Sequence, residues 1–153
     1  MRKPYFQTPP DAPAPLRNTV SRVVRFEEVD VMGIVWHGRY ASFFEDARVA
    51  LGKKVGLGYL DYYRNGVMTP LKKMHLDYAK PLGFDETITV EAIMHWTEAA
   101  RIDMEFIVRN AEGEIATRGY TVQLMLDLKG EVLLIPPPFH QEVLNRWRNG
   151  EFS

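Results

Sequence analysis

The sequence predicts an α+β domain in which an antiparallel sheet of about five strands wraps one long helix. Three observations carry this expectation. Apolar residues recur at steps of three and four across residues 36–54. The period then changes to two and stays there for about sixty residues. Two proline clusters, one near each end of the chain, bound the periodic sequence between them.

Five of the ten prolines fall within the first fifteen residues. Proline fixes φ and removes a backbone donor, so residues 1–18 are expected to form an extended tail, with one domain over residues 19–153. A strand over residues 19–26 opens that domain. In the helix that follows, Trp36, Tyr40, Phe43, Ala47 and Ala50/Leu51 form a wide aromatic stripe, while Arg39, Ser42, Glu45, Asp46 and Arg48 fill the gaps. Glu45 and Arg48 are expected to be an exposed or paired helix face.

The period-two strands come next. Met74, Leu76 and Tyr78 alternate with Lys73, His75 and Asp77; Ile88, Val90, Ala92, Met94 and Trp96 alternate with Thr89, Glu91 and His95. Ile102, Met104, Phe106 and Val108 alternate with Arg101, Asp103, Glu105 and Arg109. Such alternation predicts one face on the core and the other in water. Hairpin turns are expected at residues 97–99 and 110–113, and a last strand carries Tyr120, Val122, Leu124 and Leu126, with Gly119 expected to mark a bulge. Pro136-Pro137-Pro138 must end the strand region, and a short helix over residues 139–148 closes the domain.

The charge balance, 19 basic against 20 acidic residues, provides no excess that would hold nucleic acid or an anionic membrane. With no cysteine there are no disulfides, thiolate metal sites or cysteine nucleophiles, which fits a cytoplasmic setting. No apolar run is long enough for a membrane span. The four histidines form no His-Glu-x-x-His helix, so no metal is expected, and His75 with Asp77 is expected to be a solvated pair. Gly-x-Ser-x-Gly is absent, and the glycines at 52, 56 and 58 lack the strand-to-helix setting of a nucleotide loop. Lys72, Lys73, Arg101, Arg109 and Arg118 could meet phosphates, although alternating basic residues on a strand usually form its solvated face.

The chemistry-bearing segment lies between the first strand and the helix, where Asp30 precedes Gly33, an apolar run, Trp36-His37-Gly38 and Tyr40. An isolated aspartate ahead of a helix is ordinarily a cap. The run of Asp30, Gly33, Trp36-His37, Tyr40 and Phe43-Phe44-Glu45-Asp46-Ala47-Arg48 resembles the 4-hydroxybenzoyl-CoA thioesterase family, most closely its Tol-Pal-associated bacterial acyl-CoA thioesterases. The likeness continues through residues 73–81 to Asp127. It implies a hotdog fold, a homodimer or homotetramer with its active sites between protomers, and a thioesterase that hydrolyses an acyl-CoA to free acid and CoA without a cofactor.

On that resemblance Asp30 is the catalytic carboxylate, as nucleophile or general base. His37 is a second catalytic candidate, and the His37 and Gly38 amides at the helix start are the oxyanion donors. Gly33, Trp36 and Tyr40 are expected at the substrate pocket. Met32, Trp36 and Gly38 depart from the family's usual residues and would reshape its entrance. An acyl-carrier-protein thioesterase and a non-catalytic acyl-binding module are the alternatives.

Overall fold

The computed structural model describes residues 3–152; Met1 and Arg2 of the expected tail and Ser153 of the expected domain lie outside it. A five-stranded antiparallel sheet runs in the order β1-β3-β4-β5-β2. Its strands are β1 (Leu16–Val23), β2 (Leu71–Tyr78), β3 (Thr87–His95), β4 (Arg101–Arg109) and β5 (Ile115–Leu124). Three helices, α1 (Tyr40–Val55), α2 (Tyr59–Arg64) and α3 (Pro138–Arg148), complete the order of elements, with short 3₁₀ turns at Phe26–Glu28 and His37–Arg39. No helix among the described residues is long and apolar enough to cross a membrane.

Helix α1 packs against one face of the sheet, chiefly on β1 and β3. Phe43, Phe44, Ala47 and Leu51 are fully buried, in one cluster with Ile88, Val90, Ala92, Met104, Phe106 and Val108 from the strands. The aromatic stripe read along residues 36–51 is therefore the core-facing side of α1, except that Trp36 lies ahead of the helix and is 49% exposed. The helix ends at Gly56, whose φ of +81° places it in the left-handed region where a glycine cap has no Cβ penalty.

Gly119 differs from expectation. It pairs in register with Leu76 on one side and Phe106 on the other, so β5 has no bulge there. Its need is room: a Cβ at this position would lie 2.3 Å from the His75 carbonyl oxygen and 2.9 Å from the Phe44 ring. Phe44 stacks flat on Phe106, centroids 4.4 Å apart, and glycine lets the helix approach the sheet that closely. Register shifts occur instead between Leu71 and Lys73 and between Val108 and Arg109.

Strand β1 starts at Leu16, ahead of the expected residue 19, because residues 16–18 already pair with residues 92–94. The outer face of the sheet is also drier than its alternation predicts. Asp103 and Glu105 are buried, with Glu105 held by His95 at 3.0 Å and Arg118 at 2.6 Å. The proline-rich segment supplies part of the cover. Tyr5 packs on Tyr120 and bonds Asp77 at 2.7 Å, and Phe6 packs on His95. The segment is not the extended tail expected: it bends at Tyr5 and Phe6 and turns at Pro10 and Asp11, where the Ala12 N–H donates to the Pro9 carbonyl at 3.0 Å. His75 and Asp77 are 3.0 Å apart and both partly exposed, as expected of that pair.

Candidate active site

The segment between β1 and α1 is held by its own backbone and by one buried acid. The Glu28 carboxylate receives Arg22 at 2.6 Å and the Arg25 N–H at 2.8 Å, while the Glu28 carbonyl accepts the Trp36 N–H at 2.9 Å. Residues 28 and 36 are thereby clamped together, closing a loop whose tip holds Asp30. Glu28 gave no signal of this positioning role in the sequence, where it reads as one of two consecutive acids.

Within the loop the Asp30 N–H donates to Ile34 and the Gly33 N–H to the Asp30 carbonyl, each at 2.9 Å. Gly33 has a φ of +77°, so the turn needs the glycine found three residues after the aspartate. The Met32 N–H donates to Asp30 Oδ1 at 2.8 Å, which fixes the orientation of the carboxylate. The Val35 N–H then bonds the Leu82 carbonyl and ties the loop to the segment after β2.

Asp30 lines a cleft of about 340 Å³ together with His37, Tyr40, Tyr78 and Lys80, and with Met32, Ile34 and Val35 on its apolar side. Of the residues expected at the site, Asp30, His37 and Tyr40 share this cleft. Gly33 shapes the turn beside it, and Trp36 and Gly38 stand next to His37 outside the lining. Tyr78 and Lys80 were not among the predicted site residues. Their one signal is position, at the end of a strand that stops before Pro81.

The helix starts with the 3₁₀ turn His37–Arg39, and the Arg39 N–H closes it on the Trp36 carbonyl at 2.9 Å. The His37 and Gly38 N–H groups precede that first bond and have no acceptor among the described residues. Tyr78 donates its hydroxyl to the His37 carbonyl at 2.9 Å and packs edge-on against Tyr40, which pins the turn to β2. Burial raises the Tyr40 pKa, so its hydroxyl stays neutral at physiological pH. Trp36 packs on the His37 imidazole with centroids 4.9 Å apart, and its indole also covers Gly38. A Cβ on residue 38 would fall 2.2 Å from that ring, so the two departures from the family pattern, Trp36 and Gly38, fit each other. A fixed carboxylate and unpaired amides around one small cleft can activate a nucleophile and receive developing negative charge.

Residues 24–146 match the family model described as the Thioesterase-like superfamily. YneP of Bacillus subtilis, provisionally named an acyl-CoA thioesterase, is 31% identical over 68% of this chain and 75% of its own length. The structure of a DHNA-CoA thioesterase from Staphylococcus aureus is 25% identical, with a TM-score of 0.78 over 90% of this chain and 95% of that one. Slr0204 of Synechocystis, a 1,4-dihydroxy-2-naphthoyl-CoA thioesterase, is 18% identical and has the same fold, with a TM-score of 0.73 over 83% of this chain and 95% of that one.

Proposed function

The chain belongs to the Thioesterase-like superfamily, with the hotdog fold and thioester hydrolysis that this implies, and we propose that it cleaves a short-chain aliphatic or aromatic acyl-CoA with Asp30 as the catalytic carboxylate. The observation that carries the reading is the cleft shared by Asp30 and His37 at the first turn of the helix. The finer placement, beside the 4-hydroxybenzoyl-CoA and Tol-Pal-associated enzymes, rests on the run from Asp30 to Arg48. A homodimer or homotetramer and a cytoplasmic setting belong to the same reading.

In the general-base form, Asp30 takes a proton from water as its oxygen bonds the thioester carbon. The carbonyl oxygen becomes an oxyanion beside the His37 and Gly38 amides, dipoles aimed where charge develops and therefore worth most in the transition state. Collapse breaks the carbon–sulfur bond, and CoA leaves as a thiolate that takes up the proton. In the nucleophilic form an Asp30 oxygen adds to the carbon, the carbon–sulfur bond breaks to release CoA as a thiolate, and water hydrolyses the resulting mixed anhydride to the free acid and Asp30, its proton going to the thiolate. The His37 imidazole assists by polarising the carbonyl or orienting water. Tyr40 flanks the acyl group, and Trp36 acts from outside the cleft through the His37 ring it packs on.

A thiol-release assay on a panel of acyl-CoAs tests this. Asp30→Asn should lower kcat by about 10²–10⁴-fold, the range for loss of a positioned base, and His37→Ala should cost less. Full activity in Asp30→Asn would overturn the role of the carboxylate. Under single turnover in labelled water, label entering Asp30 before product marks the nucleophile, and label in product alone marks the base. Turnover of a carrier-protein thioester far above that of its CoA analogue would move the donor from CoA to carrier protein.

A further inference from the structure

Four charged side chains are buried among the described residues: Glu28, Arg48, Asp103 and Glu105. Three of them meet an opposite charge. Glu28 pairs with Arg22 at 2.6 Å, Asp103 with Arg101 at 3.1 Å, and Glu105 with both Arg118 and His95. Arg48, only 3% exposed, has no ion pair among the described residues. Its Nε donates to Gln123 Oε1 at 2.6 Å and its guanidinium lies 4.1 Å from the centre of the Tyr59 ring, but Nη2 is sealed from solvent without an acceptor. The expectation that Arg48 belongs to an exposed or paired helix face is thus overturned, since it is buried and has no ion pair among the described residues. It faces α2; of the two acids that precede it on the helix, Glu45 is engaged by the Tyr59 hydroxyl and Asp46 by Arg22.

A buried cation with no counter-charge is costly, and removing or withholding its partner leaves the full desolvation penalty in place. Something must meet that charge, and the structure shows where. Arg48 lines a cavity of about 400 Å³ between the C-terminal half of α1 and α2, with Lys53, Tyr59, Leu60, Asp61 and Arg64. Three of these residues are cations. The one acid, Asp61, has a carboxylate oxygen accepting the Gly58 N–H at 2.7 Å. Lys53 and Arg64 are exposed, so the positive field opens toward solvent. Tyr59 and Leu60 add an apolar wall, and the volume lies within the roughly 300–1,000 Å³ of small-molecule sites. This cavity shares no lining residue with the Asp30 cleft. Arg48 is eight positions along α1 from Tyr40, roughly 12 Å down the axis.

We propose that this cavity is an anion-binding site, taking a phosphate or carboxylate carried on a small organic body, with Arg48 as the buried partner and Lys53 and Arg64 at the rim. Nε is held by Gln123 and Nη2 is sealed, so Nη1 is the guanidinium donor left for one oxygen of either group. The site is independent of the role of Asp30.

The test is calorimetric titration of the full chain at constant ionic strength with inorganic phosphate, coenzyme A and butyrate as separate probes. The wild type should bind at least one of them, and Lys53→Gln/Arg64→Gln, which alters exposed residues only, should bind it about tenfold more weakly, two charge-assisted contacts having been removed. Phosphate binding identifies a free phosphate site, binding of coenzyme A alone identifies the phosphates of a thioester substrate, and butyrate binding identifies a carboxylate. Arg48→Met should abolish binding where it folds; the rim variant decides the matter where it does not. The proposal is overturned if no probe binds the wild type, or if the rim variant binds every probe unchanged. It is likewise overturned if that variant shifts only the association state in sedimentation, which would assign the cavity to a second copy of the chain.

Discussion

The Trp36–Gly38 pair is a residue-scale device with a measurable signature. Because a methyl group on residue 38 would overlap the indole, Gly38→Ala must displace Trp36 and with it the ring packed on the His37 imidazole. The indole is half-exposed and can swing out, so the fold should survive with a stability change of about 1 kcal/mol or less. The effect belongs to the acyl-CoA reaction: KM and the ranking of acyl groups should change more than kcat does. Trp36→Phe in the Gly38→Ala background should restore the original ranking. Steady-state rates on the acyl-CoA panel for the two single variants and the double variant measure this coupling. At this scale the sequence was partly legible. Asp30, Gly33 and His37 stood out only through the family resemblance carried by the whole run from Asp30 to Arg48, whereas the clamp made by Glu28 and the cleft positions of Tyr78 and Lys80 depend on contacts that no local pattern encodes.

Elements show why some positions were misread. Alternation in β4 assigns residues 103 and 105 correctly to the face away from α1, but it says nothing about what else covers that face, and Asp103 and Glu105 turned out buried. Arg48 was misread for a related reason, since α2 was not anticipated. Its signal is short: Gly58 followed three residues later by Asp61, whose carboxylate accepts the Gly58 N–H. The contact between α2 and α3 is a prediction in itself. Tyr62 and His140, both buried, join these helices through a 2.7 Å hydrogen bond to Nδ1. Burial holds His140 neutral and pushes its pKa down from 6.5 to about 4. The unfolded chain therefore takes up the proton first, so stability from this group is complete above pH 6.5 and is lost as pH falls toward 4. Urea unfolding should show a loss of about 2 kcal/mol between pH 7 and pH 5 that is absent in His140→Gln. An equal slope in that variant would place the pH dependence elsewhere.

For the whole molecule, composition and period were enough to give the α+β class, with the strands, long helix and closing helix in the right order. Tertiary contacts over long separations were not legible: Tyr5 on Tyr120, Phe6 on His95, and the Trp147 indole N–H on the Ala14 carbonyl at 2.8 Å. Nothing in a proline-rich stretch announces that it will lie against a sheet. The strand order has a further consequence, in time. β3, β4 and β5 form a meander closed by short hairpins, while the two edges pair over longer separations, β1 with β3 across α1 and β2 with β5 across the meander itself. Contacts between neighbours in sequence cost little loop-closure entropy, and those across the helical crossover cost more. The meander is thus expected to assemble first and open last. Under native conditions the amides of Val90, Met104 and Phe106 should exchange with deuterium only through global unfolding, while those of β1 should exchange through a smaller, earlier opening. Mass spectrometry of peptides from the two regions reads that order directly; equal protection of edge and meander would mean that the sheet opens as one piece.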